Sequence, residues 1–249
     1  MNKIYGLIGF PLTHSFSEKY FKEKFLHEGI VNTEYRNFPI EKIGDLPSIL
    51  NENTELRGLN VTIPYKESVL TYLDEIEESA REIGAVNTIK IEQRADSKHL
   101  IGFNTDIDGF ESSLLEFWDD RFKKSLVLGS GGASKAVKYV LHKMGVETTT
   151  VSRQIKEDNC ITYTSLNKSI IQDNLLIINT TPTGMYPNAD TFPDIPYNFL
   201  SKNHFLFDLV YNPDETIFLK RGKSMGALTL NGYQMLVGQA DKAWSLWNS

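Results

Sequence analysis

The chain has 249 residues, of which 41% are hydrophobic and 23% charged, with a formal net charge of −6. That apolar content suffices for one large domain or two modest ones and argues against disorder, while the net acidity argues against a general nucleic-acid binder. Cys160 is the only cysteine, so neither an intrachain disulfide nor a cysteine-based metal site can form. No apolar run approaches the roughly 20 residues a membrane helix needs. The N-terminus leads into a strand-like segment rather than a signal peptide, so the expected setting is cytoplasmic, with no membrane partner.

Residues 4–9 read as a first strand and 18–27 as an amphipathic helix with Tyr20, Phe21 and Phe25 inward. Residues 33–38 alternate as a strand, 43–50 read as a helix, and 56–63 as a buried strand. Pro64 suits the first position of a helix running to about residue 73. Lys66 would then sit in its first turn, where an exposed cation is disfavoured by roughly 0.3–1 kcal/mol. Residues 76–83 form another predicted helix, and 85–91 with 100–104 a predicted hairpin. The alternation predicts a mostly parallel sheet flanked by helices. A second unit is expected from about residue 105: a helix over 107–118, a strand over 125–128, a helix over 133–144, and strands over 148–151, 175–178 and 205–209. A last helix over 233–247 places Leu236, Ala240, Ala243 and Leu246 at core-facing intervals.

Two constellations carry chemistry. Leu128 runs into Gly129, Ser130, Gly131, Gly132, Ala133 and Ser134, a strand, a glycine turn and a helix start. Glycines let the backbone approach a pyrophosphate, and the helix-terminal N–H groups receive its charge. Ser134 replaces the third glycine of the dinucleotide fingerprint, so an ordinary strand–helix turn is the competing account. NAD-binding units place an acid after the second strand; here Ser152 and Arg153 follow Val151, with Lys156 nearby. That suits the 2′-phosphate of NADP, although Arg153 as an exposed loop cation is an alternative. Residues 179–184, including Thr180, follow a further strand on the same carboxyl edge and fit a cofactor-facing loop or a plain turn.

The other constellation is a polar set at the ends of apolar segments: Ser15, Ser17, Thr62, Lys66, Asn87, Asn104, Thr105 and Asp106. Lys66 and Asp106 are the candidate acid–base pair for a substrate oxygen, against the alternative of a surface salt bridge. Ser15, Phe16, Ser17 and Glu18 match a capping box, so the two hydroxyls are either caps, ligand contacts or both. His14 reads as a packed or loop residue, and Tyr65 and Tyr211 as pocket or packing residues. Gln239, inside the last helix, is a candidate hydroxyl or carboxylate partner. No metal site is expected.

In order, the segments 11–17, 60–66, 84–88, 104–106, 129–134, 208–213 and 231–240 resemble the shikimate dehydrogenase family over essentially the whole chain. The resemblance implies an α/β fold in two domains with a cleft between them. Residues 1–104 and 232–249 would form the substrate domain, and 105–231 a Rossmann-type NADP domain. It implies NADPH-dependent, reversible reduction of 3-dehydroshikimate to shikimate, on the route to chorismate and the aromatic amino acids; the sequence leaves monomer and homodimer both open. By motif position, Ser15 and Ser17 would hold the substrate carboxylate, and Thr62, Lys66, Asn87, Asp106 and Gln239 the hydroxyls and reacting oxygen, with Tyr211 lining the pocket. Lys66 would be catalytic with Asp106 as its partner. Gly129 to Lys135 would carry the pyrophosphate, Ser152 and Arg153 the adenosine phosphate, with Thr180 on a cofactor-facing loop. Leu209, Gly232 and Met235 would lie near the nicotinamide. Gln154, Pro182 and Thr183 depart from the family's usual residues. The rival readings are a quinate/shikimate dehydrogenase of broader specificity, a non-catalytic NADP-binding sensor, and an S-adenosylmethionine methyltransferase. The missing acid after the second strand and the Lys66/Asp106 pair count against the last.

Overall fold

A computed structural model describes the chain except for Met1, residues 13–15, Asp96, Lys156 and Glu157. It divides into two compact units: residues 1–105 with 240–249, and residues 106–239.

The first unit contains β1 (Lys3–Gly9), α1 (Phe16–His27), β2 (Thr33–Pro39), α2 (Leu46–Glu52), β3 (Leu56–Val61), β4 (Glu75–Ile76), α3 (Glu78–Ile83), β5 (Thr88–Gln93) and β6 (Lys98–Phe103). Its sheet has the order β2-β1-β3-β5-β6-β4. β1 runs parallel to β2 and β3, but β5 is antiparallel to β3 and β6. β4 also runs parallel to β6, so three of the five pairings are parallel, and the expected hairpin supplies an antiparallel turn because residues 94–97 are too few for a crossover.

Strand alternation divides the core. Along β1, Ile4 and Ile8 join Leu56, Leu59, Val61, Val69 and Ile89 in one cluster, while Tyr5 and Leu7 pack with Phe21, Phe25 and Tyr35 in another. The second cluster is completed by Ala240, Ala243 and Trp247 from the last helix. Phe21 stacks on Tyr35 at 4.5 Å and Tyr5 on Trp247 at 4.9 Å. Gly58 makes room for the indole, since a Cβ there would lie 2.3 Å from Trp247 Nε1. The indole N–H donates to the Ile89 carbonyl at 3.0 Å, so the buried ring keeps its polar atom satisfied.

The second unit holds α4 (Asp106–Leu115), β7 (Lys124–Leu128), α5 (Gly132–Lys143), β8 (Glu147–Ser152), β9 (Cys160–Thr162), α6 (Lys168–Asp173), β10 (Leu176–Asn179), β11 (Phe205–Asp208), α7 (Ile217–Ser224) and β12 (Leu228–Leu230). The last helix, α8 (Tyr233–Trp247), begins in this unit and ends in the first. The sheet order is β12-β11-β10-β7-β8-β9 and every pairing is parallel. The winding reverses at the β7/β10 pair. In open parallel sheets that reversal leaves a crevice beyond the strands' carboxyl ends, where ligands bind. Leu128 and Asn179, paired in register, mark that point.

Candidate active site

Lys66 does not lie in the first turn of a helix, contrary to the expectation for residues 64–73. The Ile63–Pro64 bond is cis, the Tyr65 N–H returns to the Thr62 carbonyl at 2.9 Å, and only a short 3-10 turn, Ser68–Tyr72, follows. The cause is Tyr65, whose ring is buried and whose hydroxyl donates to the Ile40 carbonyl at 2.6 Å. Sinking that side chain into the core takes the backbone of 62–66 into a turn instead of a helix. Tyr65 is thus a packing residue. The half-buried Lys66 is held by its own backbone: its carbonyl accepts the Val86 N–H at 2.7 Å. Thr62 is anchored at the same edge, donating its N–H to the Ile8 carbonyl at 3.0 Å.

The Lys66–Val86 bond brings the lysine segment beside Asn87. The Asn87 Oδ1 accepts the Thr105 N–H at 2.7 Å and the Thr105 and Thr88 hydroxyls at 3.1 Å each. Because a backbone N–H can only donate, the carbonyl end of this amide must face Thr105. Its NH₂ end therefore points the other way, as a donor of fixed direction. Asn60 continues the network, donating to Thr88 Oγ1 at 3.2 Å and accepting the Tyr35 hydroxyl at 2.7 Å. Ser17 in turn hydrogen-bonds Tyr35, opposing the strong upward push that burial gives the phenol. Four of the expected substrate contacts, Ser17, Thr62, Lys66 and Asn87, thus belong to one bonded framework. Asn104 and Thr105 are buried in the same region, Asn104 donating to the Ala85 carbonyl at 2.9 Å. Ser15 and His14 lie outside the described residues.

Asp106, buried, opens α4. One turn on, a Cβ at Gly109 would lie 2.4 Å from the Met235 carbonyl oxygen and 3.0 Å from the Gln239 N. The backbones of α4 and α8 therefore touch at Gly109, which only glycine permits. That contact carries Gln239, half-buried, to within about one helical turn of Asp106. Met235 is buried there as well, and Tyr211 is half-buried, its phenol pushed up by desolvation.

The glycine loop fits a dinucleotide on the structure's own terms. Gly129 has φ +112°, and a Cβ there would lie 2.8 Å from Thr180 Oγ1, so backbone and packing both demand glycine. Gly131 differs: its φ of −89° suits any residue, and a Cβ would meet nothing within 4 Å. Neither packing nor backbone explains a glycine there, whereas a phosphate lying on the loop does. Gly131 caps α5 without a side-chain hydrogen bond, so the N-terminal N–H groups of that 12-residue helix are not capped from their own chain end. Ser134, in place of the third fingerprint glycine, is buried and donates to the Gly129 carbonyl at 2.8 Å. Thr180 likewise braces the loop, donating to the Leu128 carbonyl at 2.7 Å. Ser152 is buried, bonding the Gln154 backbone and so shaping the turn that exposes Arg153. Gly232 caps α8, with Leu236 N–H on its carbonyl at 3.0 Å, and a Cβ there would lie 2.1 Å from the Leu209 carbonyl oxygen.

One group in this region, the first residue of the segment 208–213, is given no role by the motif that contains it. Asp208, fully buried at the end of β11, accepts from Asn179 Nδ2 at 2.9 Å, the Val210 N–H at 3.1 Å and Thr216 Oγ1 at 2.6 Å. Burial pushes its carboxyl up from 3.8 to about 6, with the three donors opposing the shift. A carboxylate ending an otherwise apolar strand, Phe205-Leu206-Phe207-Asp208, is the signal that could have found it. Among the described residues no group of three or more His, Cys, Asp or Glu could hold a metal, and no helix is long and apolar enough to cross a membrane.

Residues 7–89 match the family model for the shikimate dehydrogenase substrate binding domain. A curated protein of Methanococcus maripaludis named shikimate dehydrogenase (NADP(+)) is 39% identical, covering 98% of this chain and 91% of its own. A crystal structure of shikimate dehydrogenase in complex with NADP+ superposes with a TM-score of 0.86 at 34% identity, over 99% of this chain and 90% of that one. Quinate dehydrogenase from Corynebacterium glutamicum in complex with NAD gives a TM-score of 0.85 at 29% identity, over 99% and 93%. The chain belongs to the shikimate dehydrogenase family.

Proposed function

We propose that the protein catalyses the reversible, NADPH-dependent reduction of 3-dehydroshikimate to shikimate, the first unit binding the substrate and the second the coenzyme. The observation that carries this reading is the framework around Asn87: an amide whose oxygen is held by three donors, in a segment tied to Lys66. A fixed donor beside a lysine suits a small polyhydroxylated ketone, whose hydroxyl orients on the amide while its carbonyl oxygen meets the ammonium.

NADPH, when bound, supplies the hydride for the ketone carbon. Lys66 stabilises the negative charge developing on the oxygen and protonates it, with Asp106 as its partner in handling that proton. Ser15 and Ser17 hold the substrate carboxylate, and Thr62, Asn87, Tyr211 and Gln239 its ring. Gly129 to Ser134 cradle the pyrophosphate and Arg153 the 2′-phosphate, on the turn that Ser152 shapes. Thr180, Leu209, Gly232 and Met235 face the nicotinamide half. The enzyme works in the cytoplasm as a monomer or homodimer.

The similarity to quinate dehydrogenase supports a second reading of broader specificity, since fold likeness alone does not separate the two. Nicotinamide absorbance followed with shikimate or quinate, each with NADP+ or NAD+, tests both. Turnover highest with shikimate and NADP+ is expected. Comparable turnover of quinate supports the broader enzyme. Thermal stabilisation by NADP+ without turnover of either substrate overturns catalysis and leaves a coenzyme-binding sensor.

A further inference from the structure

We propose that Asp208 is a positioning residue for the coenzyme, its one buried carboxylate holding the loop after β10 and the loop after β11 in a single arrangement. The inference rests on the reading of the second unit as the coenzyme unit. Oδ1 receives both Asn179 Nδ2 and the Val210 N–H, and Oδ2 receives Thr216 Oγ1. Each donor belongs to a different piece of chain. Asn179 governs the first loop: its Oδ1 accepts the Thr181 N–H at 3.1 Å and hydroxyl at 2.6 Å, while Nδ2 also reaches the Thr183 carbonyl at 3.3 Å. Val210 lies in the second loop, next to Leu209. Thr216 caps α7, accepting the Leu219 N–H at 3.4 Å.

Those loops carry Thr180 and Leu209, and both are fitted closely to glycines of the coenzyme site. Thr180 presses on Gly129 and Leu209 on Gly232, where a Cβ would lie 2.8 Å and 2.1 Å from their oxygens. With tolerances this small, a shift of either loop by an ångström opens or blocks the path a nucleotide must take across β7 and β10. Outside the carboxylate, the loops are also joined by backbone bonds, Leu209 N–H to the Asn179 carbonyl at 2.9 Å and Tyr186 N–H to the Asn212 carbonyl at 3.0 Å. These preserve the fold, and Asp208 adds the side-chain tie among Asn179, Val210 and Thr216.

The test compares Asp208→Ala with Asp208→Asn. Asparagine keeps one oxygen for Asn179 and Val210 and can donate its NH₂ to Thr216, so it retains the three-way tie. In Asp208→Ala, the dissociation constant of NADP+, read by fluorescence titration, should rise roughly tenfold or more. The KM for shikimate at saturating NADP+ should stay near wild type, and Asp208→Asn should recover most of the coenzyme affinity. Should Asp208→Ala not fold, Asn179→Ala, which cuts the tie from the other side, is read by the same criterion. An unchanged NADP+ affinity in the folded variant, or equal losses of coenzyme and shikimate affinity, overturns the proposal. Wild-type protein that binds no NADP+ overturns the coenzyme reading itself, which separates the two failures.

Discussion

In the first unit the buried side chains of Asn60, Asn87, Thr88 and Thr105 are all neutral and satisfy one another. In the second, a carboxyl group, Asp208, sits at the junction of two loops and a helix. A neutral amide network orients its donors identically at any pH. A buried carboxylate grips its partners more strongly through charge-assisted bonds, but its grip changes with ionisation. The contrast fits the work proposed for each unit: presenting fixed donors to uncharged hydroxyls in one, and holding loops against a large anionic cofactor in the other.

The largest effect should come from Lys66, the cation tied into the first unit's framework. Lys66→Ala is expected to lower turnover by roughly 10² to 10⁴-fold, the span typical for a positioned acid, with little change in shikimate KM. Steady-state kinetics decide it: near-normal turnover with a raised KM would make Lys66 a binding residue. Next, Asn87→Ala strips the acceptor from the buried Thr105 N–H and two hydroxyls, at about 2–3 kcal/mol. Urea melts should show that loss, and shikimate KM should rise while NADP+ affinity holds. Equal losses for both ligands would mean that the amide serves the whole fold rather than one unit.

An effect no larger than that of Asn87→Ala, and spread over several pH units, tests the ionisable network. The Asp208 carboxyl is raised from 3.8 to about 6 in the folded protein, so between those values the folded state binds more protons than the unfolded one. Stability from this group is present at low pH and is lost as pH climbs through about 6, up to about 3 kcal/mol in all. Asp208→Asn removes that slope. The stability difference between variant and wild type should therefore move in the variant's favour from about pH 4 to pH 7. Parallel urea-midpoint profiles for the two proteins would show that Asp208 is not raised.

Much of this was legible in the order of the residues, and the gaps have specific causes. The glycine loop at 129–132 was readable because close approach leaves few residue choices, and Ala240 and Ala243 of α8 because helical periodicity does not depend on its neighbours, whereas Leu236 and Leu246 of the same stripe are only half-buried and Trp247 fills the core instead. The helix assigned to 64–73 failed because a local pattern could not show that Tyr65 would be claimed by Ile40, far away in the chain. The helix expected over 76–83 is shorter, since Glu75 and Ile76 pair with β6 before Glu77 caps α3. The short strands β9 and β12 were missed because three residues each carry too little pattern. Among the candidate residues, Lys66, Asn87 and Asp106 stood out by breaking apolar runs. Asn60 and Tyr35 did not, because their roles exist only once separate strands have paired.

The helix α8 has a consequence for how the molecule is made. Residues 106–239 are continuous, so all of the second unit is synthesised before Ala240 is added. The first unit, begun earlier, waits for Ala243 and Trp247 to fill the space beside Tyr5, Phe21 and Tyr35. A nascent chain would thus carry an open aromatic trough until α8 is made, and the unit begun first would be completed after the second.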